Sequence, residues 1–311
     1  MSAKKTTSKK KEIQVNTTAG SLAYNRLDMQ ISQTLHMAIE LFDDLNYLLV
    51  LDHYDDITLF DLDKEPMVVS YYQMKTNEQV IKIDTAIKED WVLKLNKQLE
   101  RPDWIVKELG LITNCPLDIS YSYKDNNGNR RNKTEVLNAE ITPFIKFNSK
   151  TVDKIKADIA EKTGCSVDDV DLSKFAHLRT TLTIGNHGDL VEKKLGDFLY
   201  DKYPKIKIDT VKTVYSAMMD LLAKKQGYEH LSENADFEDV RRYKGIERED
   251  FSRVIDKAIM VSIPEIQEII DFLGKANTDI TTISLPYVTI MSDSSNSGNT
   301  SFARLFDKTV R

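Results

Sequence analysis

Two short stretches carry residue types that can do hydrolytic chemistry together. The first is Asp52-His53-Tyr54-Asp55-Asp56-Ile57-Thr58-Leu59, and the second is Tyr71-Tyr72-Gln73-Met74-Lys75-Thr76. On a β-strand successive side chains point to opposite faces, so Gln73 and Lys75 share one face and Met74 takes the other. If Asp56 opens the preceding antiparallel strand, its carboxylate lies beside that pair. One carboxylate and one amide carbonyl offer oxygen ligands to a hard cation such as Mg²⁺ or Mn²⁺, with water completing the shell. A neighbouring ammonium then orients or helps deprotonate an attacking water and offsets charge on a phosphate. That is sufficient machinery for phosphodiester hydrolysis. The same Gln-x-Lys spacing on a solvated strand end has no function at all, and residue types alone do not separate the two.

The elements around these stretches give the pair a frame. Apolar positions Met29, Ile31, Leu35, Ile39 and Phe42 fall at helical spacing across 27–45. A short apolar run at 47–51, then Ile57, Leu59 and Leu62, then a β-branched and aromatic run at 67–74, predict three strands joined by tight turns at Asp55 and at Asp63-Lys64-Glu65-Pro66. Residues 85–100 read as one amphipathic helix, and 109–113 as a returning strand. Asp125-Asn126-Asn127-Gly128 marks the turn of a hairpin over 119–137. Further on, the pattern predicts helices at 149–162, 190–200, 211–225, 249–258 and 264–273, with a β-rich stretch at 178–184. The fold class is therefore α/β, followed by a mainly helical C-terminal part. We expect a basic tail at 1–20, an α/β domain at 21–205 and a helical docking or oligomerisation region at 206–311.

The order helix, strand, Asp-Asp-Ile strand, Tyr-Tyr-Gln-Met-Lys strand, helix resembles the PD-(D/E)xK restriction-endonuclease-like superfamily. It is most similar to the effector nucleases of bacterial CBASS and Lamassu anti-phage systems. The likeness covers residues 26 to about 115 and continues more faintly through 178–198 and the helical tail. It implies a restriction-endonuclease-like core, a mixed sheet flanked by helices, and metal-dependent cleavage of double-stranded DNA. By the same likeness the metal ligands fall on Asp56 and Gln73 and the catalytic lysine on Lys75. Asp55 competes for the ligand role, and Asp56 is preferred because it abuts the strand. Gln73 departs from the commoner Glu or Asp, which removes one ligand charge and leaves the number of metals open. The alternative reading is a non-catalytic assembly or scaffold subunit that keeps this fold.

Other residues are weaker candidates. Gln30 in the first helix, with Glu40 as its alternative, is placed to support the site, and Asp52 to join its acidic cluster. Arg130, Arg131 and Lys133 on the hairpin are candidate DNA contacts, or else a solvated turn. His177 and His187 lack a second ligand at metal spacing and read as structural. Gly185-Asn186-His187-Gly188 could cradle an anion, though a loop-to-helix cap explains it as well. No P-loop, dinucleotide-binding glycine fingerprint or Gly-x-Ser-x-Gly elbow occurs, so nucleotide hydrolysis, hydride transfer and serine hydrolysis lack support.

Composition sets the outer bounds. The 311 residues are 41% hydrophobic and 30% charged, typical of a soluble globular protein. There is no long uninterrupted apolar run and no secretory leader, so we expect a cytoplasmic chain with no membrane partner. Cys115 and Cys165 are expected to stay reduced. The formal net charge is −6, and without the five lysines of the first 11 residues the remaining 300 carry −11. An acidic body is a poor unaided ligand for a polyanion. Either the basic residues are concentrated locally, or assembly and partners supply the grip on DNA; the resemblance implies a homo-oligomer as the active form and a separate sensor or SMC-like ATPase partner that controls it.

Overall fold

The structure is a computed structural model that describes residues 19–262, apart from 102 and 233, and the strand segments 282–284, 288–291 and 304–307. The chain divides into two compact units at the Val254–Ile255 junction. The first unit begins with helix α1 (Ala19–Leu41), then three strands, β1 (Tyr47–Leu51), β2 (Ile57–Asp61) and β3 (Val68–Lys75). Short β4 (Ile81–Lys82), α2 (Ile83–Lys88) and α3 (Trp91–Lys97) lead to β5 (Ile105–Thr113). The hairpin β6 (Leu117–Lys124) and β7 (Arg130–Leu137) follows, then β8 (Ile141–Pro143), α4 (Ser149–Thr163) and β9 (Phe175–Arg179). Helices α5 (His187–Lys202), α6 (Ile208–Gln226) and α7 (Phe237–Lys244) precede β10 (Gly245–Glu247) and α8 (Arg248–Ser262), within which the division falls.

Seven strands form the central sheet in the order β10-β1-β2-β3-β5-β9-β8. β3, β5 and β9 run parallel, and the outer pairings are antiparallel, so the sheet is mixed. β1 is Tyr-Leu-Leu-Val-Leu and every residue is buried, the composition of a strand covered on both faces. On one face Leu48, Val50, Phe60, Tyr71, Leu109 and Leu111 share a core with Ile83 and Ala86 of α2, Val92 and Leu95 of α3, and Ile155 and Ile159 of α4. Helices α1, α5 and α6 pack on one another beside α1's contact with β1, burying Leu35, Leu195, Val214 and Met218. The α/β class is thus what the residue pattern predicts, and the mixed sheet flanked by helices is what the resemblance implies. A second, three-stranded sheet pairs β4 with β6 and β6 with β7. The described strands of the second unit, β11 (Thr282–Ser284), β12 (Val288–Met291) and β13 (Arg304–Asp307), make an antiparallel sheet of their own.

Three expectations change. The single helix expected at 85–100 is broken in two, because Asp90 takes a left-handed conformation (φ 61°) between the end of α2 and the start of α3. The β-rich stretch at 178–184 contributes a strand only as far as Arg179; beyond it Leu182 is buried in a loop, where apolar character reflects burial rather than pairing. Residues 206–254 are not a separate helical region. β10 completes the edge of the central sheet against β1, and α6 lies on α1, so these residues belong to the first unit. The helix expected at 264–273, nearly all of the basic tail at 1–20 and the polar stretch 292–301 lie outside the described residues.

Candidate active site

The first requirement is that β2 and β3 lie side by side. Their antiparallel register sets Ile57 opposite Tyr72, and one further step sets Asp56 opposite Gln73. The β1–β2 turn closes with Asp52 donating its backbone N–H to the Asp56 carbonyl at 3.3 Å, and Asp52 itself sits at φ 49°. The end of β3 is held on both sides, since it also pairs in parallel with β5, Gln73 beside Leu111 and Lys75 beside Thr113. Beyond the strand ends, Asn77 donates its N–H to Asn114 Oδ1 (2.9 Å), and Asn114 Nδ2 donates back to the Asn77 carbonyl (3.0 Å).

Asp56 and Lys75 meet at this edge. Asp56 Oδ2 accepts the Met74 backbone N–H at 2.7 Å and lies 3.5 Å from Lys75 Nζ. Both side chains are about one quarter exposed (21% and 24%), so the pair is reachable from solvent yet not screened as a surface pair would be. The ammonium sits 5.6 Å from the centre of the Trp91 ring, the first residue of α3, which adds a cation–π contact. Gln73 is buried, and its Oε1 has no hydrogen-bond partner. A buried carbonyl oxygen left unpaired is costly unless something supplies a positive partner. Among the described residues no three His, Cys, Asp or Glu side chains cluster at metal-binding spacing. Any cation at this edge would rest on a mixed set of Asp56 carboxylate and Gln73 amide oxygen, and the orphaned oxygen fits that role.

Asp55 points elsewhere. Its Oδ1 accepts the Asp56 N–H at 2.9 Å, and its Oδ2 lies 3.4 Å from Gln98 Nε2, just beyond α3. Gln98 is itself fixed by donating to the Tyr54 carbonyl (2.7 Å) and accepting from Arg101 Nε (2.8 Å). Burial, reinforced by the charge of Asp56 and opposed by hydrogen bonds, lifts the Asp55 carboxyl to about 6. Asp52 is raised above the usual carboxylate value for the same reasons, although the residue as a whole is exposed. It faces Gln226 and Lys244 rather than Gln73. Gln30 joins that side too, its Oε1 accepting from Gln226 Nε2 at 2.9 Å. Asp52 with His53, Gln226 and Lys244 lines a cleft of about 990 Å³.

The hairpin cations are exposed and largely spoken for. Arg131 pairs with Asp125 (3.1 Å), Lys133 pairs with Glu135 (2.9 Å), and Arg130 Nη2 reaches Ser122 Oγ at 3.4 Å. Glu40 pairs with His36 and Lys194, away from the strand edge. His187 hydrogen-bonds Ser32 Oγ through Nδ1 (2.8 Å) and faces Asp28 through Nε2 (3.6 Å). His177 is fully buried, hydrogen-bonded to Thr113 Oγ1 at 2.8 Å, and burial holds its proton affinity down to about 4. Trp91, Gln98 and Arg179 were not singled out from sequence. Trp91 and Gln98 come to Lys75 and Asp55 through the packing of α3, and Arg179 joins the row of strand ends through the order of β3, β5 and β9.

No family model matches the chain. A curated protein does. The chain is similar to a Lamassu protein. That protein is LmuA of Bacillus cereus (strain VD014), 28% identical over 242 residues that cover 77% of this chain and 64% of the relative. The chain thus spans somewhat less than two thirds of the relative's length. Among solved structures, the Cap4 SAVED/CARF-domain containing receptor of Moraxella osloensis overlaps 76% of this chain and 48% of its own, at 12% identity and a TM-score of 0.43. The Acinetobacter baumannii Cap4 receptor with the cyclic trinucleotide 2'3'3'-cAAA overlaps 76% and 46%, at 10% identity and a TM-score of 0.44. Overlap at that level adds nothing to the functional reading. No helix among the described residues is long and apolar enough to cross a membrane.

Proposed function

We propose that the chain is a metal-dependent endonuclease of double-stranded DNA acting in anti-phage defence. The similarity to LmuA supports the defence role. One observation carries the chemistry: the Asp56 carboxylate lies 3.5 Å from the Lys75 ammonium, and Gln73, opposite Asp56 in register, has an unpartnered buried amide oxygen. Asp56 and Gln73 would hold Mg²⁺ or Mn²⁺. A cation bound there supplies Lewis-acid polarisation of a phosphate and a more acidic water. Lys75, with its Nζ 3.5 Å from Asp56, orients the attacking water and offsets negative charge that builds on the phosphate oxygens. The Met74 N–H holds Asp56 in its rotamer, so the carboxylate does not have to reorganise.

The assay is incubation of the purified protein with plasmid and Mg²⁺ or Mn²⁺, alone and with the products of neighbouring genes. Lys75→Ala should lose cutting while shifting stability by no more than about 0.5–1 kcal/mol, since the side chain is partly exposed. A folded Lys75→Ala protein that still cuts, or cutting that survives EDTA, would remove the proposal. Control belongs to assembly: a homo-oligomer is the active form and a separate sensor or SMC-like ATPase is the partner.

A further inference from the structure

We infer that Arg179 contacts a DNA backbone phosphate next to the scissile one, a role that rests on the nuclease reading. The parallel register places Lys75 beside Thr113 and Thr113 beside Arg179, one row across the ends of β3, β5 and β9. The three side chains share a face: Thr113 Oγ1 meets His177 Nε2, and Arg179 follows His177 by one strand period. With strands about 4.8 Å apart, the Lys75 and Arg179 backbones are roughly 10 Å apart. A duplex laid across this edge can meet both side chains.

The row is stiff. The reciprocal Asn77–Asn114 bonds tie β3 to β5, and the Thr180 N–H donates to the Thr113 carbonyl at 2.9 Å, tying β5 to β9. The guanidinium, in contrast, is unclaimed. Among the described residues no hydrogen bond or ion pair engages the Arg179 side chain, whereas Arg131 and Lys133 are both paired. Arg179 is half-buried, and its charge bears on His177 and Cys115 beside it. A half-buried cation with no counter-ion is costly unless it meets an anion from outside. The planar fork of arginine matches a phosphate, and the site beside it handles phosphodiesters.

The test is fluorescence anisotropy with a labelled DNA duplex in EDTA, so that binding is read without cutting, over a series of KCl concentrations. Arg179→Ala should weaken binding and lower the slope of log K against log salt by about 0.9, the value for one lost phosphate contact. Arg179→Lys should restore the slope and only part of the affinity, which a misfolded Arg179→Ala protein could not explain. An unchanged affinity and slope in Arg179→Ala overturns the assignment, as does wild-type protein that binds no duplex at low salt. If wild type binds with the arginine-dependent slope yet never cuts, either as a homo-oligomer or with the products of neighbouring genes, the nuclease reading falls and the contact stands. If wild type cuts and Arg179→Ala binds and cuts as well, the contact falls alone.

Discussion

Gln73 offers a neutral oxygen where a carboxylate would hold a cation more tightly, and that difference can be measured. Gln73→Glu should raise Mg²⁺ affinity, because ligand charge governs the binding of hard cations to oxygen sites. Isothermal titration of the two proteins decides the matter: weaker binding in Gln73→Glu would show that Oε1 is not a ligand. Asp55 poses a different question, since its carboxyl is raised from the ordinary 3.8 to about 6. Between those values the folded chain holds more protons than the unfolded one, so this group makes stability fall as pH rises from about 4 to 6. Asp55→Asn keeps an oxygen for the Asp56 N–H and removes the titration. Its urea-unfolding free energy should therefore decline less over that window than the wild-type value does. Equal declines would show that Asp55 is not the group responsible. The two neighbouring aspartates thus divide the work, one facing Lys75 and the other Gln98.

Strand order decides which of these residues meet. Gly110 of β5 lies beside Tyr72 of β3 and Ala176 of β9, and a Cβ there would fall 2.4 Å from the Tyr72 ring and 2.7 Å from Leu178 Cδ1. Gly110→Ala should therefore cost about 1–3 kcal/mol by overpacking and displace the strand that carries Gln73 and Lys75. Denaturant unfolding beside a cleavage assay would show both losses, and an unchanged midpoint would mean that the ring moves aside freely. The pattern in the sequence reveals β1, β2 and β3 because their burial leaves apolar and β-branched runs bounded by turn residues. It reveals the β6–β7 hairpin because Asp125 accepts from the N–H groups of Asn127 and Asn129, and Gly128 takes φ 80°. Since β2 and β3 are consecutive, the meeting of Asp56 with Lys75 is legible as well. What stays hidden depends on distant partners. β10 is three residues that form a strand only because β1 is there, and Asp90 takes its left-handed turn without a glycine to signal it. Gln98 reaches Asp55 from 43 residues away, and the Lys75–Thr113–Arg179 row spans three separate strands.

For the molecule as a whole, charge argues against solitary action. With −6 overall and −11 outside the first 11 residues, the isolated chain should capture DNA weakly, and more weakly still as salt screens its cations. Light scattering after size exclusion, run beside a plasmid assay, should find cutting in a homo-oligomeric fraction and little in a monomer. A stable monomer that cuts at the full rate would overturn that expectation. Closed symmetric assembly also brings two sites to one duplex, which breaking both strands requires. The pairing of β10 with β1, Leu48 to Glu247, Leu49 to Ile246 and Val50 to Gly245, has its own consequence in time. Ribosomes add about 5–20 residues per second, so β1 waits roughly ten to forty seconds for the strand that covers it. Throughout that interval a newborn chain presents an uncapped apolar edge, the surface that chaperones hold and that sister nascent chains on one messenger can zip onto.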